Sequence, residues 1–217
     1  MGQEFSCMYC GQKEIGHVYC PSGHFVCDHC HGKDVFEIIQ KSLLLSKDTN
    51  PLSIAEKMFK NIPLPMLGCE HAWIATGALL VAIKNHGVMK VTDDQITEAL
   101  NRTRKQAIGA YCGLTGVCGV VPAIGAAFSV ILGAACPKEK ETSTTMYIVA
   151  RVVKAIADQT GPCCCKNFVR TSLALGCELV EEYLGIQLPC TGKITCQDSQ
   201  RHPHGCRENK CNYYCET

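Results

Sequence analysis

Apolar residues recur at helical spacing through the middle of the chain, and polar residues mark where several helices begin. Asn50 and Pro51 predict the N-cap and first residue of one helix. Thr92 and Gln95 predict a capping box for a helix over 93–106. The same spacing predicts further helices over 35–46, 51–60, 69–86, 144–159 and 162–183. Strand patterns are nearly absent beyond the N-terminal segment, so the main domain is predicted to be all-α.

One long stretch of the chain lacks charge. Residues 106–136 carry no charged side chain, which is long enough in principle to cross a bilayer. The stretch holds six glycines, Pro122 and three cysteines, and the neighbouring helices are amphipathic. We therefore expect a buried helical hairpin, broken near 119–122, and no membrane span. The charged run 138–142 is predicted to be a solvated break between helices.

These patterns divide the chain into three parts. Residues 1–33 form a small Cys/His/Gly-rich module, 34–188 an all-α cysteine-containing domain, and 189–217 a polar Cys-rich tail. The predicted fold class is mainly α: a helical bundle with a small N-terminal zinc-ribbon or treble-clef-like module and the tail. A hydrophobic fraction of 47% is enough to build its core.

Cysteine usage is the most unusual feature of the composition, with 18 in 217 residues. Such a density is typical of secreted disulfide scaffolds or of reduced, metal-binding proteins. The first six residues lack the basic and apolar runs of a signal peptide, and cysteines occur in close pairs. A reducing cytoplasm is therefore expected. With 21 Lys+Arg against 20 Asp+Glu and no long basic run, net charge gives no support for nucleic-acid binding.

The N-terminal module has the spacing of a metal site. Its ligand pattern reads Cys7-x2-Cys10-x9-Cys20-x3-His24-x2-Cys27-x2-Cys30. Each Cys-x2-Cys turn directs two thiolates at one ion, and two such turns complete a tetrahedral zinc site. About thirty residues cannot bury an adequate core, so metal binding must stabilise the module. Cys7, Cys10, Cys27 and Cys30 are predicted to bind zinc, and Cys20 with His24 to close a second site.

The order of these six ligands resembles the first six of a RING-type cross-brace. In that family the first and third pairs share one zinc, and the Cys/His pair shares another with a final Cys-x2-Cys. The final pair is missing here, so ubiquitin-ligase activity is not expected. A one-zinc ribbon or treble-clef knuckle is favoured, and such modules usually stabilise a fold or dock onto partners.

Three groups of residues in the helical domain carry candidate chemistry. They are Cys69 with His71, Cys112 with Cys118, and Cys163-Cys164-Cys165. Glycines beside the second group would let a backbone approach a cofactor closely. With Pro162 as the first helical residue, the triple cysteine would lie in the first turn, where the helix dipole favours thiolate.

An iron–sulfur cluster is the favoured cofactor of this domain, alongside zinc in the N-terminal module. Cys69, Cys112, Cys118 and at least one of Cys163–Cys165 are predicted to converge on it. His71 is a further ligand or a donor that orients the site. Zinc with Cys/His ligands and a thiol–disulfide pair remain alternatives at the same place. Cys136 and Cys177 lie in apolar sequence and are predicted to pack in the core.

The tail has too few aliphatic residues to fold by burial alone. It contains five cysteines and two histidines: Cys190, Cys196, His202, His204, Cys206, Cys211 and Cys215. A second metal knot or docking onto the N-terminal module would order it, and disorder is the alternative.

These motifs together resemble a known family. They are Cys7-x2-Cys10, the helix start Cys69-Glu70-His71, the segment from Cys112 to Cys118-Gly119, and Gly161-Pro162-Cys163-Cys164. The chain resembles, over most of its length, domain-of-unknown-function family 5714, found mainly in anaerobic prokaryotes. The Cys-Gly segment is also similar to a helical redox family named for a Cys-Gly-Cys-Ala pattern, although that pattern is absent. The resemblance implies an intracellular, oxygen-avoiding protein with metal or redox chemistry, acting beside radical-SAM or methyltransferase enzymes.

Two functional interpretations follow. The first is a metal-binding protein with a redox, iron–sulfur or sulfur-handling role and a protein partner or redox enzyme. The second is a zinc-stabilised protein-interaction module without catalysis. A nucleic-acid binder is least favoured, because Arg102, Arg104 and Lys105 form only a small basic patch. No Ser/His/Asp pattern, phosphate loop or nucleotide fingerprint is present, so the sequence leaves open whether the protein is an enzyme.

Overall fold

The chain folds into two compact units, Met1–Ile38 and Ile39–Thr217, here called the N-terminal unit and the helical unit. The computed structural model describes residues 3–7, 11–16, 25, 27, 33–159 and 161–215. In the N-terminal unit, strand β1 (Gln3–Ser6) pairs antiparallel with β2 (Lys13–Gly16).

The described residues form eight α-helices and two short 3-10 turns. The helices are α1 (Lys33–Leu45), α2 (Pro51–Asn61), α3 (Glu70–His86), α4 (Asp93–Gln106), α5 (Tyr111–Thr115), α6 (Val120–Leu132), α7 (Glu139–Ala157) and α8 (Cys165–Leu184). The 3-10 turns are Ser199–Arg201 and Glu208–Lys210. The mainly helical fold predicted from the sequence is confirmed.

Helix α3 forms the centre of the helical unit. It contacts α2, α4, α6 and α8, and every residue from Glu70 to Ile83 is buried. A helix surrounded by others has no solvated face, which explains why its sequence is apolar on all sides. Gly87 ends it at a φ of 81°, as predicted for a left-handed C-cap.

The predicted caps of two helices are confirmed. The side chain of Asn50 accepts hydrogen bonds from the backbone N–H groups of Leu52 and Ser53 at 3.0 and 3.2 Å. Thr92 accepts from the Gln95 N–H at 3.2 Å, and the Gln95 side chain accepts from the Thr92 N–H at 3.0 Å. Both arrangements satisfy backbone donors that have no partner within the helix.

The charge-free stretch is only partly the buried hairpin that was predicted. Helix α6 is buried along its first three turns, but α5 is five residues long and has no buried residue. Glycines 109, 113 and 116 favour this short exposed turn over a second packed helix. Within the described part of the chain, no helix combines the length and hydropathy needed to cross a membrane.

Two predicted boundaries were wrong. The charged run 138–142 is not a break, because α7 begins at Glu139. Glu139 and Glu141 occupy its first turn, where negative charge interacts favourably with the helix dipole. The final helix begins at Cys165 and not at Pro162.

The late start of α8 has a physical cause in the tail. The guanidinium Nε of Arg207 donates to the Pro162 carbonyl at 2.7 Å, and His202 Nε2 lies 2.9 Å from the Cys163 carbonyl. These carbonyls would otherwise accept helical hydrogen bonds. Cys164 is therefore extended, with φ −132° and ψ 106°, and forms the N-cap.

The tail is ordered by contacts within the helical unit. The side chain of Asn50 donates to the Thr191 carbonyl at 2.9 Å, and the Tyr213 ring lies 5.2 Å from the Arg170 guanidinium carbon. The Cys196 N–H donates to the Tyr213 carbonyl at 2.7 Å, which closes the tail on itself. Burial of this polar segment thus depends on its hydrogen bonds to α2 and α8 more than on apolar area.

Candidate functional site

Only part of the predicted zinc site is described. Cys7 and Cys27 are 3% and 0% exposed and pack in one cluster with Phe25 and Phe5. The Gly11 N–H donates to the Cys7 carbonyl at 2.8 Å, and Gly11 has a φ of 74°, the turn predicted after Cys10. The other predicted ligands lie outside the described residues: Cys10, Cys20, His24 and Cys30.

Close packing of two helix starts positions the cysteines of the helical unit. Gly119, at the start of α6, is packed so tightly that an added Cβ would lie 2.9 Å from the Ala107 Cβ and 3.5 Å from the Ala72 Cβ. Glycine is therefore required where the segment before α6 passes the first turn of α3. Cys118 directly precedes Gly119, so this contact fixes the backbone next to its thiol.

Four thiols from two separate chain segments lie near one another. Cys112 and Cys118 belong to the first segment, and Cys163 and Cys165 to the second; together they are called the central thiol group. Cys163 lies close enough to Cys112 to add to the rise that burial causes in the pKa of the Cys112 thiol. Cys118 interacts electrostatically with both. Cys165 interacts with Cys112 and Cys118. The structure thus brings together four of the seven cofactor ligands predicted for this domain.

The triple cysteine divides between two places. Because the chain is extended at Cys164, consecutive side chains point to opposite sides. Cys163 and Cys165 interact with Cys112, whereas Cys164 lines a cavity formed with the tail. The prediction that these cysteines share the first turn of a helix is therefore wrong for Cys163 and Cys164.

Burial keeps Cys112, Cys118 and Cys165 protonated when no metal is bound. It raises the pKa of Cys118 to about 11 and that of Cys165 to about 12, and neighbouring cysteines add to both shifts. The pKa of Cys112 is also raised, first by burial and then by Cys163. The sequence predicted that the helix dipole would favour the thiolate form, and the site does not show this effect. A bound cation would reverse this balance by deprotonating the sulfurs.

Cys69 and His71 support the group from the start of α3. Nδ1 of His71 lies 3.1 Å from the Gly68 carbonyl oxygen, and the backbone of Gly68 is hydrogen-bonded to the Cys165 thiol. Burial lowers the pKa of His71 to about 4, so the imidazole is neutral. Its Nε2 is buried without a hydrogen-bond partner. Cys69, half-buried, is the N-cap of α3 and adjoins this contact.

The thiols are not arranged around a single ion. Among the described residues, no three Cys, His, Asp or Glu side chains are positioned to hold one metal ion. Ligands of one zinc must bring their sulfurs within about 4 Å of each other, since Zn–S bonds are about 2.3 Å long. The central thiol group therefore does not match the mononuclear alternative in this conformation.

One of the two cysteines predicted to pack in the core does so. Cys177 is buried, as predicted, and it also forms a disulfide with Cys190, which ties α8 to the tail. The prediction is wrong for Cys136, which is exposed after the end of α6.

The family to which the chain belongs is shown by its helical unit. A model of a family of unknown function, DUF5714, matches residues 39–214, which include the tail and exclude the N-terminal unit. No curated protein and no solved structure is significantly similar to the chain. The match covers most of the chain and all four residues of the central thiol group, and it confirms the family that the sequence motifs indicated. The chain is a member of the DUF5714 family.

Proposed function

We propose that the helical unit binds an iron–sulfur cluster through the central thiol group and exchanges electrons with a partner redox protein. The observation that supports this is the interaction of Cys112, Cys118, Cys163 and Cys165, which lie on two segments far apart in sequence. Three or four cysteine thiolates in a partly buried pocket are the ligands of such clusters.

The burial of the four thiols suits this role. Cys118 is 8% exposed, Cys112 and Cys165 are half-buried, and Cys163 is exposed. Such a site shields a centre from solvent on one side and leaves the other accessible to a partner. Backbone peptides lie beside two of the sulfurs, that of Val120 beside Cys118 and that of Gly68 beside Cys165, and hydrogen bonds from such groups tune iron–sulfur centres.

The surface beside the group is apolar. Ile108, Tyr111, Leu114 and Val117 are each more than 40% exposed, and no charged residue lies between them. Interfaces of this kind are depleted in charge at their centre and enriched in aromatic side chains. We infer that the partner protein docks here, within reach of Cys112.

Bound there, a cluster would accept one electron from a reduced partner and pass it to an acceptor. The chain's own residues would hold it and exclude water. Such a centre requires a reducing environment, and thirteen of the described cysteines are free thiols, so we propose a cytoplasmic location in which Cys177–Cys190 is the one oxidised pair among the described residues.

The test is purification without oxygen, followed by iron, sulfide and zinc analysis and a visible spectrum. We expect iron and sulfide in equal amounts and absorption near about 400 nm, which dithionite bleaches. The double variant Cys112→Ser/Cys118→Ser should lose part of the iron, and the exposed-cysteine control Cys136→Ser should retain all of it. A colourless protein, or one whose iron is unchanged in the double variant, would contradict the proposal.

A second candidate concerns the N-terminal unit. The burial of Cys7 with Cys27 supports a structural zinc held with Cys10 and Cys30, and Cys20 with His24 would close a further site. In this alternative the protein is a zinc-stabilised interaction module. One zinc per N-terminal unit and no iron in the whole chain is the result that would favour it.

A further inference from the structure

The tail contributes three cysteines to a cavity beside α8. The cavity is lined by Cys164, Cys196, Cys206, Cys211, Arg170 and Arg207. Cys164 is the N-cap of α8, whereas the other three cysteines belong to the tail. We call these four cysteines the tail thiol group. They are free thiols. The central thiol group lies on the opposite side of the extended chain at Cys164 and shares no cysteine with the tail thiol group.

N–H groups are directed at the sulfurs of the tail thiol group. The Asp198 N–H donates to Cys196 Sγ at 3.4 Å, and the Glu208 N–H donates to Cys206 Sγ at 3.4 Å. Each donor lies two residues after its cysteine, beside a 3-10 turn. Asn167 Nδ2 donates to Cys211 Sγ at 3.3 Å. Hydrogen bonds to the cysteine sulfurs are one of the features by which proteins tune iron–sulfur centres.

The cavity also holds a buried cation with incomplete hydrogen bonding. Arg207 is 6% exposed, and its Nη1 and Nη2 are buried without hydrogen-bond partners. A buried charge is costly unless it is paired. The neighbouring cations are already paired: Arg170 with Glu56 at 2.7 Å and Lys166 with Asp198 at 2.6 Å. Asp198 also lines the cavity, but its carboxylate is paired with Lys166 and Arg201. The Arg207 guanidinium lies over the Phe168 ring, 5.0 Å from its centroid, and the described residues pair no carboxylate with it, so the cavity favours an anionic occupant.

We propose that the tail thiol group and Arg207 hold a second iron–sulfur cluster. Four thiolates around a cluster leave it with net negative charge, which complements the guanidinium. A multinuclear occupant is favoured over one zinc ion, because no three of the described side chains are arranged around a single ion. The proposal does not depend on the first centre, since the two sets of ligands share no residue.

Metal analysis of cysteine variants tests this in the full chain purified without oxygen. The protein should contain about eight iron atoms if both centres are four-iron clusters. Cys196→Ser/Cys211→Ser should lose about half of the iron, Cys112→Ser/Cys118→Ser should lose the other half, and Cys136→Ser should lose none. Iron retained by the first double variant overturns the second centre. Iron retained by the second double variant overturns only the central one.

Loss of one zinc and no iron from the Cys196→Ser/Cys211→Ser variant would also overturn the proposal. Because that variant could unfold the tail, Arg207→Met provides a test that keeps all four thiols. We expect a chelator to remove half of the iron about tenfold faster from Arg207→Met than from wild type, because the variant lacks the positive charge that faces the cluster. Arg102→Met, on the exposed side of α4, is the matched control. Equal rates in both variants would contradict the role of Arg207.

Discussion

His71 lies under the peptide that contacts Cys165: its Nδ1 is 3.1 Å from the carbonyl oxygen of Gly68. The neutral imidazole donates this hydrogen bond from Nδ1, which leaves Nε2 with a lone pair. Protonation would place a second N–H in a buried region without an acceptor. The position of the Gly68 backbone is therefore linked to the neutral form of His71.

The first prediction is a loss of stability at moderately low pH. Burial lowers the pKa of His71 to about 4, against an ordinary value of 6.5, so the unfolded chain binds the proton first. Stability is complete above about pH 6.5 and falls by about 3 kcal/mol as the pH approaches 4. The charged groups near His71 are Lys166, Asp198 and Arg170. Burial acts to raise the pKa of Asp198, but its hydrogen bond with Lys166 and the nearby positive charges lower it overall, so the carboxylate stays ionised over this range.

Urea unfolding of wild type and His71→Gln at pH 7 and pH 5 measures this effect. We expect the difference between the two pH values to be smaller in His71→Gln, whatever its absolute stability. An equal pH dependence in both proteins would show that other groups cause it.

The second prediction concerns the buried ion pair that fixes the tail to α8. The side chains of Lys166 and Asp198 are 4% and 13% exposed, and their charged atoms are 2.6 Å apart. Lys166→Ala leaves the buried Asp198 carboxylate with Arg201 alone, which is exposed and lies 2.8 Å away, so the free energy of unfolding should fall by about 1–3 kcal/mol. The control is Lys154→Ala, whose pair with Asp158 is exposed and should change stability by less than about 0.5 kcal/mol. Similar losses in both variants would contradict this interpretation.

The third prediction follows from the close approach at Gly119. A methyl group there would lie 2.9 Å from the Ala107 Cβ, so Gly119→Ala should cost about 1–3 kcal/mol and displace Cys118. Gly113→Ala is the matched control, since an added Cβ meets nothing within 4 Å. The free energy of unfolding in urea and the iron content should both fall in Gly119→Ala, and both should stay unchanged in Gly113→Ala. Retention of iron by Gly119→Ala would separate the packing defect from the site.

The fourth prediction concerns zinc in the N-terminal unit. Cys27 is fully buried, and Cys27→Ser should release the zinc without changing the far-ultraviolet circular dichroism of the helices. Zinc analysis with the dichroism spectrum measures both effects. Retained zinc would exclude Cys27 as a ligand.

Sequence patterns predicted the fold better than the sites. The caps at Asn50 and Thr92 and the end of α3 at Gly87 depend on local hydrogen bonds and backbone conformation, which the sequence specifies directly. The start of α8 depends instead on Arg207 and His202, which lie about forty residues away. Local propensity carries no information about such contacts, so the prediction that Pro162 is the first helical residue is wrong.

The division of the triple cysteine was missed for the same reason. A helical start places Cys163, Cys164 and Cys165 around one axis, whereas the extended chain sends them to opposite sides. A signal was present in the sequence, since three adjacent thiols cannot all reach one small centre. The tail cysteines at 196, 206 and 211 were the unassigned partners.

The extended segment at Cys164 has a consequence for how the protein would acquire metal. Neighbouring residues of one short backbone stretch would bind both proposed centres: Cys163 and Cys165 would bind the first, and Cys164 the second. Binding of either centre would restrict the conformations of that stretch. The conformational entropy of that stretch is then lost when the first centre binds and is not lost again when the second one binds. We expect uptake at the two centres to be weakly positively cooperative, so that titration with iron and sulfide yields fewer half-loaded chains than independent binding would give. Native mass spectrometry would count these species, and a statistical distribution of half-loaded chains would show that the two centres assemble independently.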